Sequence, residues 1–216
     1  MITLAEELVL LAVEDDGRIA YTAGLPGFGM AVIGACLVGL SEAGRIDADL
    51  HQIRVVSPAP TGVAVLDSVL VQIAAGPRQA VEPWVLELRD RAHELVGLTL
   101  TELVRRGILQ QSEARFLWVL KSRRYPVVDG REQKEAKLRI LSTLLGDDLP
   151  TPHDTALIGL ARAAGLLAGF ISVAEIARLE GRINEVGGID LLVRGVEDAI
   201  RADNVARAQI YMHPVC

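Results

Sequence analysis

Residues 30–44, MAVIGACLVGLSEAG, contain no polar side chain before Ser41. A helix that is apolar around its whole circumference must be buried, so this stretch predicts the central helix of the fold. Its longest apolar run, residues 30–40, is shorter than the roughly 20 residues that a bilayer-spanning helix needs. Gly44 can adopt the left-handed conformation that ends a helix. We therefore expect the rest of the chain to pack around this segment.

The composition favours helices packed about a large aliphatic core. Hydrophobic residues make up 50% of the 216 residues and aromatic residues only 4%, so the apolar content is mostly aliphatic. No Pro/Gly/Ser-rich linker divides the chain, and a chain of this length can bury roughly 70% of its extended surface. We predict a mainly α fold, with a single helical domain over residues 1–216 around the buried central helix and with small β-hairpins.

Local signals place the other elements. Turn residues between β-prone segments predict hairpins at residues 45–57 and 108–120. Further helices are expected at residues 154–168, which Thr151 precedes as a cap, and at residues 189–201. Capping boxes, in which an N-cap hydroxyl and a carboxylate satisfy each other's backbone N–H groups, predict three more helix starts. Their residues are Thr3 with Glu6, Thr99 with Glu102, and Ser172 with Glu175.

Two segments of the chain resemble each other. LVGLSEAGRI (37–46) and LTELVRRGIL (100–109) both predict a helix that ends at a glycine, Gly44 or Gly107, before a hairpin. A helix followed by a hairpin, twice over, is compatible with a tandem winged-helix DNA-binding protein. The same pattern fits two helical units with hairpins at their ends, and the overall acidity of the chain favours that interpretation.

The N-terminal segment and the cysteines bear on the compartment. MITLAEELVLLAV carries acidic residues where a signal peptide carries basic ones. The two cysteines, Cys36 and Cys216, do not make a disulfide framework. We expect a cytoplasmic protein in a reducing environment that neither is secreted nor spans a membrane.

No catalytic constellation is recognisable in the sequence. GFGMAV at residues 27–32 lacks the third glycine of a dinucleotide-binding fingerprint. His153 and Asp154 fall in the first turn of a helix, where Asp complements the helix dipole, so we expect a structural role for them. We predict no catalytic residue, no metal and no cofactor, and hence a binding protein rather than an enzyme. The four histidines lie outside any metal-ligand spacing: His51, His93, His153 and His213.

One segment is basic on an acidic chain. The net charge is -6, which argues against nucleic-acid binding, but residues 89–139 hold 12 Lys/Arg against 7 Asp/Glu, a local charge of +5. A continuous helix would place Arg89, His93 and Val96 on one face and Arg91 to one side. Guanidinium groups suit phosphate, so this segment supplies the candidates for an anionic headgroup. The candidates are Arg89, Arg91, His93, Arg123 and Arg124.

An ordered set of motifs across nearly the whole chain resembles the Golgi phosphoprotein 3 family. No single motif is diagnostic, but their order along the chain is specific. The resemblance implies a mainly α-helical single domain with small hairpins. The motifs are ITLAEELVLLAV, MAVIGACLVGLSEAGRI, PTGVAVLDSVL, Trp84-Val85, RRGIL, Tyr125-Pro126 and TALIGLARAAGLLA.

The resemblance also implies a function. Eukaryotic members of the family are peripheral proteins that bind phosphatidylinositol 4-phosphate on Golgi membranes and retain glycosyltransferases by their cytoplasmic tails. Their headgroup pocket of one Trp and three Arg would fall at Gly24, Ile33, His93 and Val96, and this chain differs at all four. It also lacks the family's basic N-terminal tail and the long insertion before PTG, so it resembles the compact bacterial members.

Three hypotheses follow. The leading one is a non-enzymatic, peripheral membrane-binding module in the cytoplasm, on the inner membrane face, whose ligand is phosphatidylinositol 4-phosphate or another anionic phospholipid headgroup. The alternative is a soluble scaffold that holds a protein partner and binds no lipid. The third is the tandem winged-helix DNA-binding protein.

Overall fold

A computed structural model describes residues 2–20, 27–116, 120–146 and 149–212. These residues form nine α-helices and two separate antiparallel hairpins. The helices are α1 (Leu4–Leu11), α2 (Phe28–Glu42), α3 (Ala64–Ala75), α4 (Val81–Leu88), α5 (Ala92–Arg105), α6 (Arg131–Leu145), α7 (Pro152–Ala163), α8 (Val173–Gly187) and α9 (Leu191–Met212). The strands are β1 (Ile46–Ala48), β2 (Ile53–Val55), β3 (Ser112–Phe116) and β4 (Leu120–Arg124).

The α2 helix is the centre of the fold, as its sequence predicts. Every residue from Phe28 to Val38 is buried, and the helix contacts α1, α3, α4, α5, α7 and α9. A side chain could not be added at Gly34, since a Cβ there would lie 2.5 Å from Val196 and 2.9 Å from Leu160. The α2 surface is therefore shaped to receive α7 and α9 closely, and the prediction of a mainly α fold is confirmed.

Both predicted hairpins are present. In the first, β1 pairs with β2 in the register Ile46 to Val55, directly after α2. In the second, β3 pairs with β4 in the register Ser112 to Arg124, so the hairpin extends four residues beyond the predicted end at residue 120. Gly107 ends the preceding helix with φ of +73°. The repeated order of helix, glycine and hairpin is thus real.

Two of the three predicted capping boxes start a helix. The hydroxyl of Thr3 accepts a hydrogen bond from the Glu6 backbone N–H at the start of α1, and Ser172 does the same at the start of α8. The prediction at Thr99 is wrong. Thr99 is buried in the middle of α5, and its hydroxyl donates to the Leu95 carbonyl one turn earlier. A Thr in a helix interior can satisfy its hydroxyl in this way without ending the helix.

The predicted continuous helix through the basic segment is also wrong. Between α4 and α5 the chain makes a tight 3-10 turn at Arg89–Arg91, and α5 begins only at Ala92. Val96 is buried whereas His93 is exposed. The change of helix axis therefore separates residues that a single helix would have placed on one face.

The last third of the chain differs from its prediction at two helix ends. Thr151 caps α7 as expected, but α7 ends at Ala163 because Gly165, with φ of +72°, turns the chain into the 3-10 helix Leu166–Gly169. The final helix, expected to end at Arg201, continues to Met212. Among the described residues, no helix combines the length and apolarity needed to cross a membrane.

Helices α7 and α8 approach each other through two glycines. A Cβ added at Gly159 would lie 2.5 Å from the backbone oxygen of Gly187. That distance is well inside van der Waals contact and involves backbone, which cannot rotate away. The backbones of the two helices therefore pack directly against each other at this point.

Candidate anion-binding site between Arg89 and Arg207

Two arginines from different parts of the chain share one buried carboxylate. Asp203, on α9, is only 5% exposed, and its Oδ1 accepts a hydrogen bond from Nη1 of Arg89 at 2.7 Å. Its Oδ2 accepts one from Nε of Arg207, one helical turn later, at 2.6 Å. A buried carboxylate needs such partners, because an unpaired buried charge is strongly unfavourable. We call this arrangement, in which the guanidinium groups of Arg89 and Arg207 both bind the carboxylate of Asp203, the arginine fork.

The fold places this fork beside the start of the central helix. The 3-10 turn that carries Arg89 contacts α2. On the other side, Ile200 of α9 packs against Gly27, the residue that precedes α2, where a Cβ would lie 2.8 Å from its side chain. Asp203 follows Ile200 by three residues and so lies on the same side of α9. The fork thus sits where the α4–α5 junction, α9 and the beginning of α2 meet.

The geometry is that of two charge-assisted salt bridges to one carboxylate. Charge-assisted hydrogen bonds from arginine to carboxylate or phosphate have donor–acceptor distances of about 2.7–2.9 Å, and both contacts here are that short. The Arg89 side chain is 41% exposed and that of Arg207 is 64% exposed. The hydrogen bond to Asp203 raises the pKa of Arg89 above its ordinary value. Both side chains are therefore partly open to solvent, and a guanidinium carries a charge at physiological pH.

Arg91 and His93, also predicted as ligand residues, lie next to this fork in the chain. Arg91 forms two hydrogen bonds with Glu94, through Nε at 3.1 Å and Nη2 at 2.7 Å, and Nη2 also contacts the hydroxyl of Ser68 on α3. His93 is exposed in the first turn of α5. The guanidinium of Arg91 is therefore engaged locally, on the α3 side of the junction.

Arg123 and Arg124 belong to β4 and have other surroundings. Nη1 of Arg124 lies 3.1 Å from Oδ2 of Asp16, in the turn after α1, and 3.2 Å from its backbone oxygen. Arg123 is paired in register with Glu113 across the hairpin. Among the described contacts, none joins Arg124 to the 3-10 turn at Arg89–Arg91. The five predicted residues are thus distributed over at least two surfaces.

A second charged network connects the first helix with α6 and α7. Oε2 of the buried Glu7 accepts from Nη2 of Arg139 at 2.7 Å and lies 2.8 Å from Nε2 of His153. Nε of Arg139 also donates to Asp154 at 2.6 Å. Hydrogen bonds to Glu42 and Glu7 raise the pKa of His153 to about 9. Since each buried carboxylate has a cationic partner, this network serves to join α1, α2, α6 and α7.

The described residues contain no group of three or more His, Cys, Asp or Glu arranged to hold a metal ion. Burial raises the pKa of the Cys36 thiol to about 12, so this thiol is protonated at neutral pH and unsuited to nucleophilic chemistry. The guanidinium groups of the arginine fork are suited to binding an anion.

The sequence of the chain matches the Golgi phosphoprotein 3 (GPP34) family over residues 4–202. The chain belongs to this family. A search of curated proteins found no match.

Two of the four positions at which the Golgi phosphoprotein 3 resemblance places the headgroup pocket lie in the core of this chain. Ile33 and Val96 are core residues, 0% and 4% exposed, and their aliphatic side chains help to bury α2 and α5. His93 remains at the surface, and Gly24 lies outside the described residues. Neither aliphatic side chain is available to a ligand at the surface.

Asp203 and Arg207 were missed by the sequence analysis because the final helix was predicted to end at Arg201. One local signal could have found them. Asp203 and Arg207 are four residues apart, the spacing at which an acid and a base face each other on a helix. The contact of Asp203 with Arg89, 114 residues earlier, has no local signal.

Proposed function

We propose that this protein is a non-enzymatic, peripheral binding module that recognises an anionic phospholipid headgroup at the cytoplasmic face of a membrane. The observation that carries the proposal is the convergence of two partly exposed arginines, Arg89 and Arg207, on the carboxylate of Asp203. Membership of the Golgi phosphoprotein 3 family makes phosphatidylinositol 4-phosphate the first headgroup to test.

The chemistry of the two arginines supports a phosphate ligand. A guanidinium presents planar N–H donors that match phosphate and carboxylate oxygens, and it keeps its charge at any physiological pH. Residues 89–139, the segment that begins with Arg89, carry a local charge of +5 on a chain of net charge -6, although their basic side chains are distributed over at least two surfaces. Such an asymmetry orients a protein toward an anionic surface, since each Lys or Arg near the surface contributes about 1 kcal/mol.

Vesicle flotation tests this proposal. Neutral phosphatidylcholine vesicles are compared with vesicles that also contain phosphatidylinositol 4-phosphate, at low ionic strength. The wild-type protein is expected to float only with the anionic vesicles, and the double variant Arg89→Ala/Arg207→Ala should lose most of that binding. Arg201→Ala is the matched control, because Arg201 is exposed on α9 and, within the described part of the chain, pairs with the exposed Asp198.

Two outcomes would contradict the proposal. If the wild-type protein floats with neither kind of vesicle, the proposal that it binds lipid is wrong. Flotation that the double variant and the control reduce equally would mean that the fork is not the headgroup site, and that general positive charge is responsible.

The second candidate is a soluble scaffold that holds a protein partner. It is favoured by large apolar side chains at the surface, with Leu149 95% exposed and Val173 80% exposed. Isolated exposed hydrophobic residues are common, so they support a scaffold less strongly than the arginine fork supports anion binding. A wild-type protein that fails in flotation yet forms a defined complex with a partner purified from its own cells would favour this candidate.

DNA binding by tandem winged helices is the third hypothesis, and the burial of α2 weighs against it. In that hypothesis the helix before each hairpin would enter the major groove. Residues Phe28 to Val38 of α2 are buried, so this helix has no free face for DNA. Salt-dependent retention on DNA would revive the hypothesis.

A further inference from the structure

We infer that Asp203 is an internal, displaceable occupant of the anion site, and that an incoming phosphate competes with its carboxylate and frees the C-terminal part of α9 from residue 203 onward. This inference rests on the proposed function and adds a regulatory element to the same site. It concerns a phosphomonoester, whether on a lipid headgroup or free in solution.

The donors of the fork are only partly used by Asp203. Arg89 employs its Nη1 and Arg207 its Nε in these contacts, and a guanidinium carries five N–H donors in total. Nε of Arg89 also lies 3.5 Å from Oδ1 of the exposed Asp90, so that donor is shared with a second carboxylate. Both side chains are substantially exposed, while the carboxylate that they share is buried. A ligand can therefore approach the outer side of the fork while Asp203 occupies the inner side.

Phosphate and the Asp203 carboxylate repel each other if both bind the arginine fork at the same time. Two negative charges about 4 Å apart repel each other much more strongly at the effective dielectric constant of a protein surface than in bulk water. The ligand carries more charge than the carboxylate and three acceptor oxygens, so it is the stronger partner for two arginines. The repulsion is relieved when Asp203 leaves the fork.

Among the side chains that the structure describes, those of residues 204–209 do little to hold this part of α9 in place. Asp203 is buried, but each residue from 204 to 209 is exposed, including Val205. This part of the helix therefore contributes few apolar contacts to the core, and the pairing of Asp203 with Arg89 is the tether at its base. Segments with few buried contacts open at low free-energy cost, so loss of the tether is expected to release them.

The test compares wild-type protein with Asp203→Asn, which keeps the shape of the side chain and removes its charge. Asp198→Asn is the matched control, since Asp198 lies on the same helix and pairs with Arg201 at the surface. Inorganic phosphate binding is measured by calorimetry for all three proteins. We expect Asp203→Asn to bind phosphate about tenfold more tightly than wild type, in the usual range of coupling between linked sites, and Asp198→Asn to be unchanged.

Amide hydrogen exchange reports on the helix itself. In wild-type protein, saturating phosphate is expected to accelerate exchange at residues 203–212, whereas in Asp203→Asn these amides should exchange rapidly even without phosphate. This measurement needs only the wild-type protein, so it decides the question even if the variant fails to fold. Exchange that phosphate slows or leaves unchanged in the wild type overturns the inference.

The phosphate measurements also separate this inference from the proposed function. If Asp203→Asn binds phosphate no more tightly than wild type, Asp203 is not a competitor, whatever the vesicle result. If phosphate affinity and exchange behave as expected but neither protein floats with phosphatidylinositol 4-phosphate vesicles, the lipid proposal fails and the competing anion is a soluble one.

Discussion

His153 is held between two carboxylates. Its Nε2 lies 2.8 Å from Oε2 of Glu7 and its Nδ1 lies 3.4 Å from Oε1 of Glu42. These contacts raise its pKa from 6.5 to about 9. The imidazole is thus a cation at neutral pH, and it compensates, together with Arg139, the buried charge of Glu7.

This pKa predicts a loss of stability at alkaline pH. The folded-state pKa lies above the unfolded value, so the stabilisation is complete below about pH 6.5 and is lost as the pH rises through about 9. We expect His153→Gln to lower the free energy of unfolding by on the order of 2–3 kcal/mol at pH 6 and by much less at pH 10. Urea denaturation of both proteins at the two pH values measures this. A difference independent of pH would contradict it.

Arg139 offers a second test at the same network. Of the two described cationic partners of Glu7, Arg139→Met leaves His153, and it also removes the Nε contact to Asp154. It should therefore lower the free energy of unfolding by about 2–4 kcal/mol. Arg131→Met on the same helix is the control, because Arg131 is exposed and pairs with its neighbour Glu132. We expect the control to change stability by about 0.5 kcal/mol or less in chemical denaturation. Equal effects would mean that the network is not stabilising.

The sequence predicted part of this network. Asp154 and its neighbour His153 were recognised as first-turn helix residues with a structural role, because capping and dipole effects act over a few residues. The partner Glu7 lies 146 residues before His153. Its burial follows from the packing of α1 against α6 and α7, which no local pattern reports.

The close contact between helices α7 and α8 predicts how a substitution at Gly159 changes stability. Gly159→Ala would force a Cβ to within 2.5 Å of the Gly187 oxygen, so the two helices would have to move apart. We expect a loss of about 1–3 kcal/mol in the free energy of unfolding, as in other overpacked interiors. Thermal or urea unfolding measures it.

Gly181 provides the matched control for that substitution. It lies inside α8, is exposed, and has no atom within 4 Å of an added Cβ. Gly181→Ala should therefore raise stability by up to about 1 kcal/mol through helix propensity alone. If both substitutions shifted stability in the same direction, the close approach of the helix backbones would not be the cause.

Helix starts and the central helix were the most predictable elements, since they depend on caps and on a run of apolar residues. The break at Arg89–Arg91 was not, because nothing in that segment marks a turn: it contains neither Gly nor Pro. The end of α9 was predicted too early in the chain. Residues 202–212 contain no Gly or Pro that would end a helix, so the stop placed at Arg201 had no chemical basis.

The uneven distribution of charge along the whole chain predicts how membrane binding should respond to salt concentration. If the basic segment and the arginine fork drive binding, the vesicle-bound fraction should fall several-fold between about 0.1 M and about 1 M salt, as the Debye length drops from about 10 Å to about 3 Å. Flotation at both salt concentrations measures this, and the unfolding midpoint at each serves as the control for folding. Binding that resists salt would indicate insertion of apolar side chains instead.

The contact between Gly159 and Gly187 also constrains how the sequence can drift over evolutionary time. In most core contacts, a larger residue on one side can be offset by a smaller one on the other. Here both partners are already the smallest residue. An added Cβ would lie 2.5 Å from the Gly187 oxygen at position 159 and 2.9 Å from the Gly159 Cα at position 187, and no substitution removes these backbone atoms. The two positions therefore cannot covary, and each should stay glycine in every homologue that keeps this helix spacing.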